Sequence, residues 1–336
     1  MRAVILAVLL GLNMFSHAVI VSDLYQVRIS VTDQSEESRQ TAIQEALLQV
    51  VVKVSGQRDN AQNEQVLGAA AAAERYIRSF RYIRDDSETG LRLEVDFAAN
   101  LIDQLLRSGQ LPVWGKSRPL VLVWLGVEDN LQRIRVTPAV DVWHSAMESA
   151  ANERGIPLLW PAYDLEDDVA LPVESLWGMF KADILQASQR YMADATLAGR
   201  LTPDGQGGWQ FRGFLQHKGD NLELTASAEE HAVVLRQVAD QVASFMAARY
   251  AVLNDGTSGG YQLIIDGVAD FHAYQNILTY LKANVAINDV KIISVNGQTL
   301  TLELDLAAEW NQVWTTLALD KRLLPTEQES IYHWRH

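Results

Sequence analysis

Leu111-Pro112-Val113-Trp114-Gly115-Lys116-Ser117-Arg118-Pro119 runs directly into Leu120-Val121-Leu122-Val123-Trp124-Leu125-Gly126-Val127. The first stretch reads as a junction, with Pro112 and Gly115 inside it and Pro119 opening the next segment. The second is almost wholly apolar, which predicts a strand covered on both faces. A boundary therefore falls near residue 116, and the rest of the chain is organised around it.

Downstream, Val140–Arg154 has the spacing of an amphipathic helix, with Gly155 after it. Ile156–Pro161 reads as a second apolar strand, Val173–Tyr191 as helix and Ala193–Leu201 as a third buried strand. Trp209–Gln216 and Asn221–Ala228 alternate and predict a hairpin around Lys218-Gly219-Asp220, before a long helix over Val233–Tyr250. This β-α-β-α-β-β-β-α order predicts a central α/β domain over 117–253, a mixed sheet flanked by helices.

Upstream, Leu24–Val31 alternates, and Ser35 is placed to cap a helix whose Ala42, Ile43, Ala46, Leu47, Val50, Val51 and Val54 share a face. Gly56 closes it. A short Ala-rich helix near Val66–Ala73, a hairpin of Arg78–Arg84 and Leu91–Phe97 around Asp85–Gly90, and a closing helix over Leu101–Leu106 come next. The order predicts an N-terminal α+β domain over 19–116. Beyond the central domain, Asn254–Gly260 has linker composition. A strand (Tyr261–Gly267), a helix (Phe271–Ala283), a hairpin around Asn296-Gly297 and a helical stretch (Trp310–Leu319) predict a C-terminal α+β domain over 254–325. Residues 326–336 read as a polar tail. The fold class expected is thus α/β and α+β, in three small mixed domains.

The 336 residues carry a net charge of −14 and no Cys. Disulfides, thiolate catalysis and Cys-ligated metals are excluded by composition. None of the three segments carries net positive charge, so nucleic acid is not an expected partner. Met1-Arg2, the apolar run Ala3–Leu12 and Ser16-His17-Ala18 have the layout of a cleavable secretory signal peptide over 1–18. That predicts export to the periplasm, with no integral membrane segment after cleavage.

Ala42–Leu47, Val52-Lys53-Val54-Ser55-Gly56, Leu111–Gly115, Arg118–Leu125, Trp160-Pro161 through Asp164-Leu165-Glu166-Asp167, and Gly199-Arg200-Leu201 together resemble a proteobacterial exported family catalogued as domain of unknown function 2066. The middle segment resembles, more distantly, the α/β domain at the N-terminus of the Tol-system propeller protein. It is also similar to domains of outer-membrane assembly and flagellar-ring accessory proteins. These resemblances imply an exported address and a protein-docking role, and carry no active site with them.

Among motifs that could carry chemistry, Gly256-Thr257-Ser258-Gly259-Gly260 fits Gly-x-Ser-x-Gly, but a helix precedes it and a strand comes after, the reverse of what a nucleophile elbow needs. It reads as linker. Asp164, Glu166, Asp167 and Asp168 form the densest acidic cluster, after the second predicted strand. Glu128 and Asp129 come after the first. Such loops suit a contact surface at one end of the sheet, a solvated helix cap, or a hard-cation site. Trp114 reads either as a wedge between domains or as an exposed anchor for a partner. Trp310 and Trp314 share a helical face that either covers the third sheet or binds another chain. The His residues have no metal-ligand spacing, and no cofactor or metal is implied. The leading expectation is a periplasmic, non-enzymatic protein that docks onto cell-envelope proteins through Trp114, Glu128, Asp129, Asp164, Glu166, Asp167 and Asp168. The alternative is an exported ligand- or metal-binding protein, or a hydrolase, using the acidic loops.

Overall fold

The computed structural model describes residues 19–84, 90–139, 141–254, 259–328 and 330–335. The predicted signal peptide, residues 85–89 of the hairpin turn, and Gly256, Thr257 and Ser258 of the Gly-x-Ser-x-Gly match lie outside them.

In the N-terminal domain, the Ser35 hydroxyl accepts from the Ser38 N–H at 3.3 Å and opens helix α1 (Glu36–Ser55). Its stripe of Ala42, Ile43, Ala46, Leu47, Val50 and Val51 is buried on an antiparallel sheet of β1 (Gln26–Val31), β2 (Ile77–Arg84) and β3 (Leu91–Phe97). The strand order is β1-β3-β2, which leaves β1 at an edge. Helices α2 (Glu64–Ala70) and α3 (Ala99–Ser108) complete the same core. The two-residue strand Val19–Ile20 pairs with Ser117–Arg118, so the junction is tied back to the start of the domain.

The central sheet is built on β4 (Val121–Asp129), which is buried on both faces as its composition demands. Val121, Val123, Leu125 and Val127 pack under α4 (Asp141–Arg154) on one side, while Leu122 and Trp124 join the core on the other. Strand β5 (Gln132–Arg135) pairs antiparallel with β4. Short helices α5 (Leu165–Ala170) and α6 (Lys181–Ser188) lie on the Trp124 side. Then β6 (Ala195–Pro203) runs parallel to β4, and β7 (Trp209–His217) and β8 (Asp220–Ala228) extend the sheet antiparallel. Helix α7 (His231–Tyr250) packs beside α4.

Two expectations change here. The strand predicted over 156–161 shrinks to Leu158–Leu159, because only Val121 and Leu122 are there to pair with it. The helix predicted over 173–191 breaks at Gly178-Met179-Phe180, where Met179 takes φ 55°, outside the helical region.

The C-terminal domain comprises β9 (Gly260–Asp266), α8 (Phe271–Lys282), β10 (Ile287–Asn296), β11 (Thr299–Leu306), α9 (Trp310–Leu317), β12 (Leu323–Pro325) and β13 (Ile331–Trp334). Its order is β10-β11-β9-β13-β12, with β13 parallel to β9. The predicted polar tail is therefore corrected: Tyr332 and Trp334 alternate with His333 and bury themselves in this core. Trp310 stacks on Tyr261 at 3.9 Å and Trp314 meets Tyr332 at 4.7 Å, so the face they share covers the third sheet. No helix among the described residues is long and apolar enough to cross a membrane.

Candidate functional site

The acidic loops come together at one hairpin, where several of their carboxylates meet arginines. Glu128 lies 4.0 Å from Arg133, and Asp168 accepts from Arg135 at 2.8 Å, both arginines being on β5. Asp164 caps α5 by accepting the Asp167 N–H at 3.0 Å. The Arg190 guanidinium donates to Asp164 and Asp167 at 2.9 Å and lies 3.4 Å from Glu166. These hydrogen bonds hold the Asp164 carboxyl well below the usual range. Asp167 is fully buried and also accepts from the Tyr163 N–H and the Tyr191 hydroxyl. Burial and that bond push the Tyr191 phenol up to about 12. Asp164 thus caps the helix, as one of the readings of this cluster has it, while remaining exposed with Glu166 and Asp168; Asp167 pins the core, and its burial takes it out of any contact surface. Among the described residues no group of three or more His, Asp or Glu is arranged to hold a metal ion. Asp129 ends β4, beside a turn at Asn130-Leu131 where both residues have positive φ.

Trp114 is 1% exposed and so offers no face to a partner. It is a wedge. Its main-chain N–H donates to the Val54 carbonyl at 2.8 Å, and Gly56 lets it approach the end of α1: a β-carbon there would lie 2.9 Å from the indole and 2.3 Å from Ala247. Over the indole, at 3.9 Å, lies the guanidinium of Arg118.

Arg118 is buried, and its hydrogen-bond acceptors are five main-chain carbonyls. Nη2 donates to Lys53 at 2.7 Å and Trp114 at 2.9 Å, Nη1 to Arg154 at 2.9 Å and Gly155 at 3.0 Å, and Nε to Gly115 at 3.1 Å. Lys53 is in the last turn of α1 and Arg154 ends α4. One cation therefore caps the carbonyl ends of two helices from two domains, where the partial charge is negative and acceptors are otherwise orphaned. Both helices close on a left-handed glycine, Gly56 and Gly155. Burial pushes the Arg118 pKa down to about 9, which still leaves a cation at neutral pH. Arg154 repeats the device: it donates to the Gly56 carbonyl at 2.8 Å and pairs with Asp240 on α7, which Arg58 also grips through both carboxylate oxygens. The N-terminal and central domains are locked at this point.

Beside the lock opens a polar cleft of about 400 Å³. The Arg28 and Ser30 side of β1 forms one wall, Ser149, Asn152 and Glu153 of α4 face it, and Lys53 lies at the end of α1. The Lys53 ammonium donates to the Asp23 and Gln26 carbonyls at 2.9 and 3.3 Å and to Asn152 Oδ1 at 3.4 Å. Burial lowers its pKa to about 8, against the nearby Asp23 carboxylate. The Gln26 carbonyl thus points away from β3, while the Tyr25 carbonyl accepts from Phe97 on the β3 side. Because antiparallel strands alternate, Arg28 and Ser30 also turn their N–H and C=O groups outward. Among the described residues no strand pairs with that side of β1.

No sequence motif marks the cleft or the lock. One signal was visible: Lys53 is a lone cation in Val50-Val51-Val52-Lys53-Val54, and the structure buries it.

Comparison with known proteins adds one finding. Residues 18–115 match a family described as Domain of unknown function (DUF8605). The match spans the N-terminal domain, with β1, α1 and Lys53, and stops before Arg118. No curated protein matches the chain, and no solved structure does. The resemblance to domain of unknown function 2066 is thereby corrected, and nothing supports the likeness of the central domain to the Tol-system propeller protein. Among the segments that carried it, Val52–Gly56, Leu111–Gly115 and Arg118–Leu125 are helix end, junction and buried strand.

Proposed function

We propose that this is an exported docking protein of the cell envelope, whose N-terminal and central domains act together as a rigid receptor for a segment of another protein. The carrying observation is the cleft at the lock. Arg118 and Arg154 fix α1 against α4, so the recess between β1 and α4 is preformed, and a preformed recess binds with a smaller ordering cost. The exported address is supported by the layout of residues 1–18.

The test is photo-crosslinking in the native host from a benzoylphenylalanine placed at Arg28 or Ser149, with Gln275 on α8 as a remote control. The expected result is one envelope protein captured at both cleft positions, absent at Gln275, with the adduct re-formed from purified components. Adducts that are the same at all three positions, or none at the cleft, would refute the reading.

A further inference from the structure

We propose, resting on that docking reading, that the occupant is an extended basic segment which joins the N-terminal sheet as an added strand along β1. The outward N–H and C=O groups of Arg28 and Ser30 repeat every two residues, about 6.8 Å apart along the strand. An extended backbone matches that repeat without leaving buried donors or acceptors unpaired. The edge is accessible over more than the cleft. A second recess of about 400 Å³ continues from Ile29 and Ser30 to Asp33, between β1 and the first half of α1. The two recesses meet at Ser30 and line successive stretches of the same strand, and together they make up the trough.

The charge of the trough selects its occupant. The second recess is lined by Asp33, Glu37 and Glu45, with no Lys or Arg among its lining residues. In the first, Asp23, Glu148 and Glu153 balance Arg28, Lys53 and Arg92, and Arg28 is drawn to Glu94 at 2.8 Å. A strand laid along the trough therefore passes from a balanced site into an acidic one, so Lys or Arg side chains on alternate positions are favoured and acidic ones repelled.

The probes are fluorescent peptides acetyl-KVKVKVKV-amide, acetyl-EVEVEVEV-amide, and the lysine peptide N-methylated at alternate residues in either phase, titrated into the full chain by anisotropy. The lysine peptide is expected to bind at least about tenfold more tightly than the glutamate peptide. One phase of N-methylation is expected to remove that binding. Ser30→Pro deletes an outward N–H on an edge strand and is expected to weaken it by about tenfold or more with the melting temperature retained. Glu37→Lys with Glu45→Lys is expected to abolish the preference for the lysine peptide. Equal binding of all methylated forms, or no preference between the peptides, overturns the inference; the methylated peptides decide it even if Ser30→Pro fails to fold. Crosslinks at Arg28 and Ser149 without backbone-dependent peptide binding leave the docking reading standing and overturn this one. Backbone-dependent binding without cleft crosslinks overturns the docking reading in cells and supports the strand-addition site.

Discussion

Replacing Arg118 by Ala is expected to uncouple the N-terminal and central domains. The side chain donates to five carbonyls, all in or beside the junction. A hydrogen bond of this kind contributes about 1 kcal/mol net, and a buried acceptor left without a partner costs about 1–3 kcal/mol. Water entering the vacated space recovers part of this, because the hole is lined by carbonyls. The loss is therefore about 5 kcal/mol, the charge-to-helix attraction being already contained in those bonds. For a unit of this size 1 kcal/mol moves the melting temperature by about 2–4 °C, so a fall of about 10–20 °C is expected. Differential scanning calorimetry reads it, and should show one transition splitting into two. Arg118→Lys is the informative control. A lysine keeps the charge but has three donors and no planar fork, so at least two carbonyls lose their partner and the effect is intermediate. A single transition within about 2 °C of the parent for Arg118→Ala would refute the view that this cation joins the domains.

Four further outcomes are expected from the geometry. His217 is buried, with Nδ1 on the Asp194 carbonyl at 2.8 Å and Nε2 on the Tyr250 hydroxyl at 2.7 Å, and burial lowers its pKa. The unfolded chain then binds the proton first, so stability from this residue is complete above about pH 6.5 and declines below it, by at most about 1.4 kcal/mol per pH unit. Urea midpoints at pH 7.5 and 5, compared with those of His217→Gln, measure this, and an unchanged difference would show the slope comes from elsewhere. Asp167→Ala removes the fully buried carboxylate that accepts from the Arg190 guanidinium, the Tyr191 hydroxyl and the Tyr163 main-chain N–H, and is expected to cost about 3 kcal/mol by chemical denaturation. Calcium and EDTA are expected to leave the melting temperature of the parent unmoved; a calcium-dependent rise would restore a cation role to the cluster. Gly155→Ala places a β-carbon 2.5 Å from Arg118 Nη1 at φ 64°, and a loss of about 2 kcal/mol or more is expected from the same melts.

Local rules made much of the fold legible. The α1 stripe, the buried β4 and the Asn296-Gly297 hairpin each carry their signal within ten or twenty residues, and each is where that signal places it. What was not legible depends on partners distant in sequence. Gln132–Arg135 has no apolar alternation and is a strand only because β4 offers an edge. Ile331–Trp334 looks polar until Tyr332 and Trp334 find the core formed by β9 and α9. The acidic cluster read as a surface because its neutralisers, Arg135 and Arg190, stand on other elements. For the same reason the cleft had no motif: its walls are a strand edge and a helix more than a hundred residues apart.

The lock explains an oddity of the charge distribution. The chain has an acidic excess of 14, yet the buried ionic groups at the domain junction are cations: Lys53, Arg118 and Arg154. Carboxylates would normally be needed to hold three cations out of water, and the ones present, Asp240 and Asp23, remain partly exposed at its margin. Oriented carbonyls take their place. The ends of α1 and α4 converge on one point, and the acceptors there are short of donors whether or not an arginine is present. A cation at that point satisfies both helices at once, whereas a carboxylate would meet two negative ends. Neither domain supplies the arrangement alone: α1 belongs to the segment that matches the family, while Arg118 and Arg154 lie beyond its end. The N-terminal domain thus has the end of its longest helix capped by its neighbour. The edge of β1 at the cleft is held in place by the same Lys53 to whose carbonyl Arg118 donates, so loosening the lock should weaken binding in the trough as well as stability.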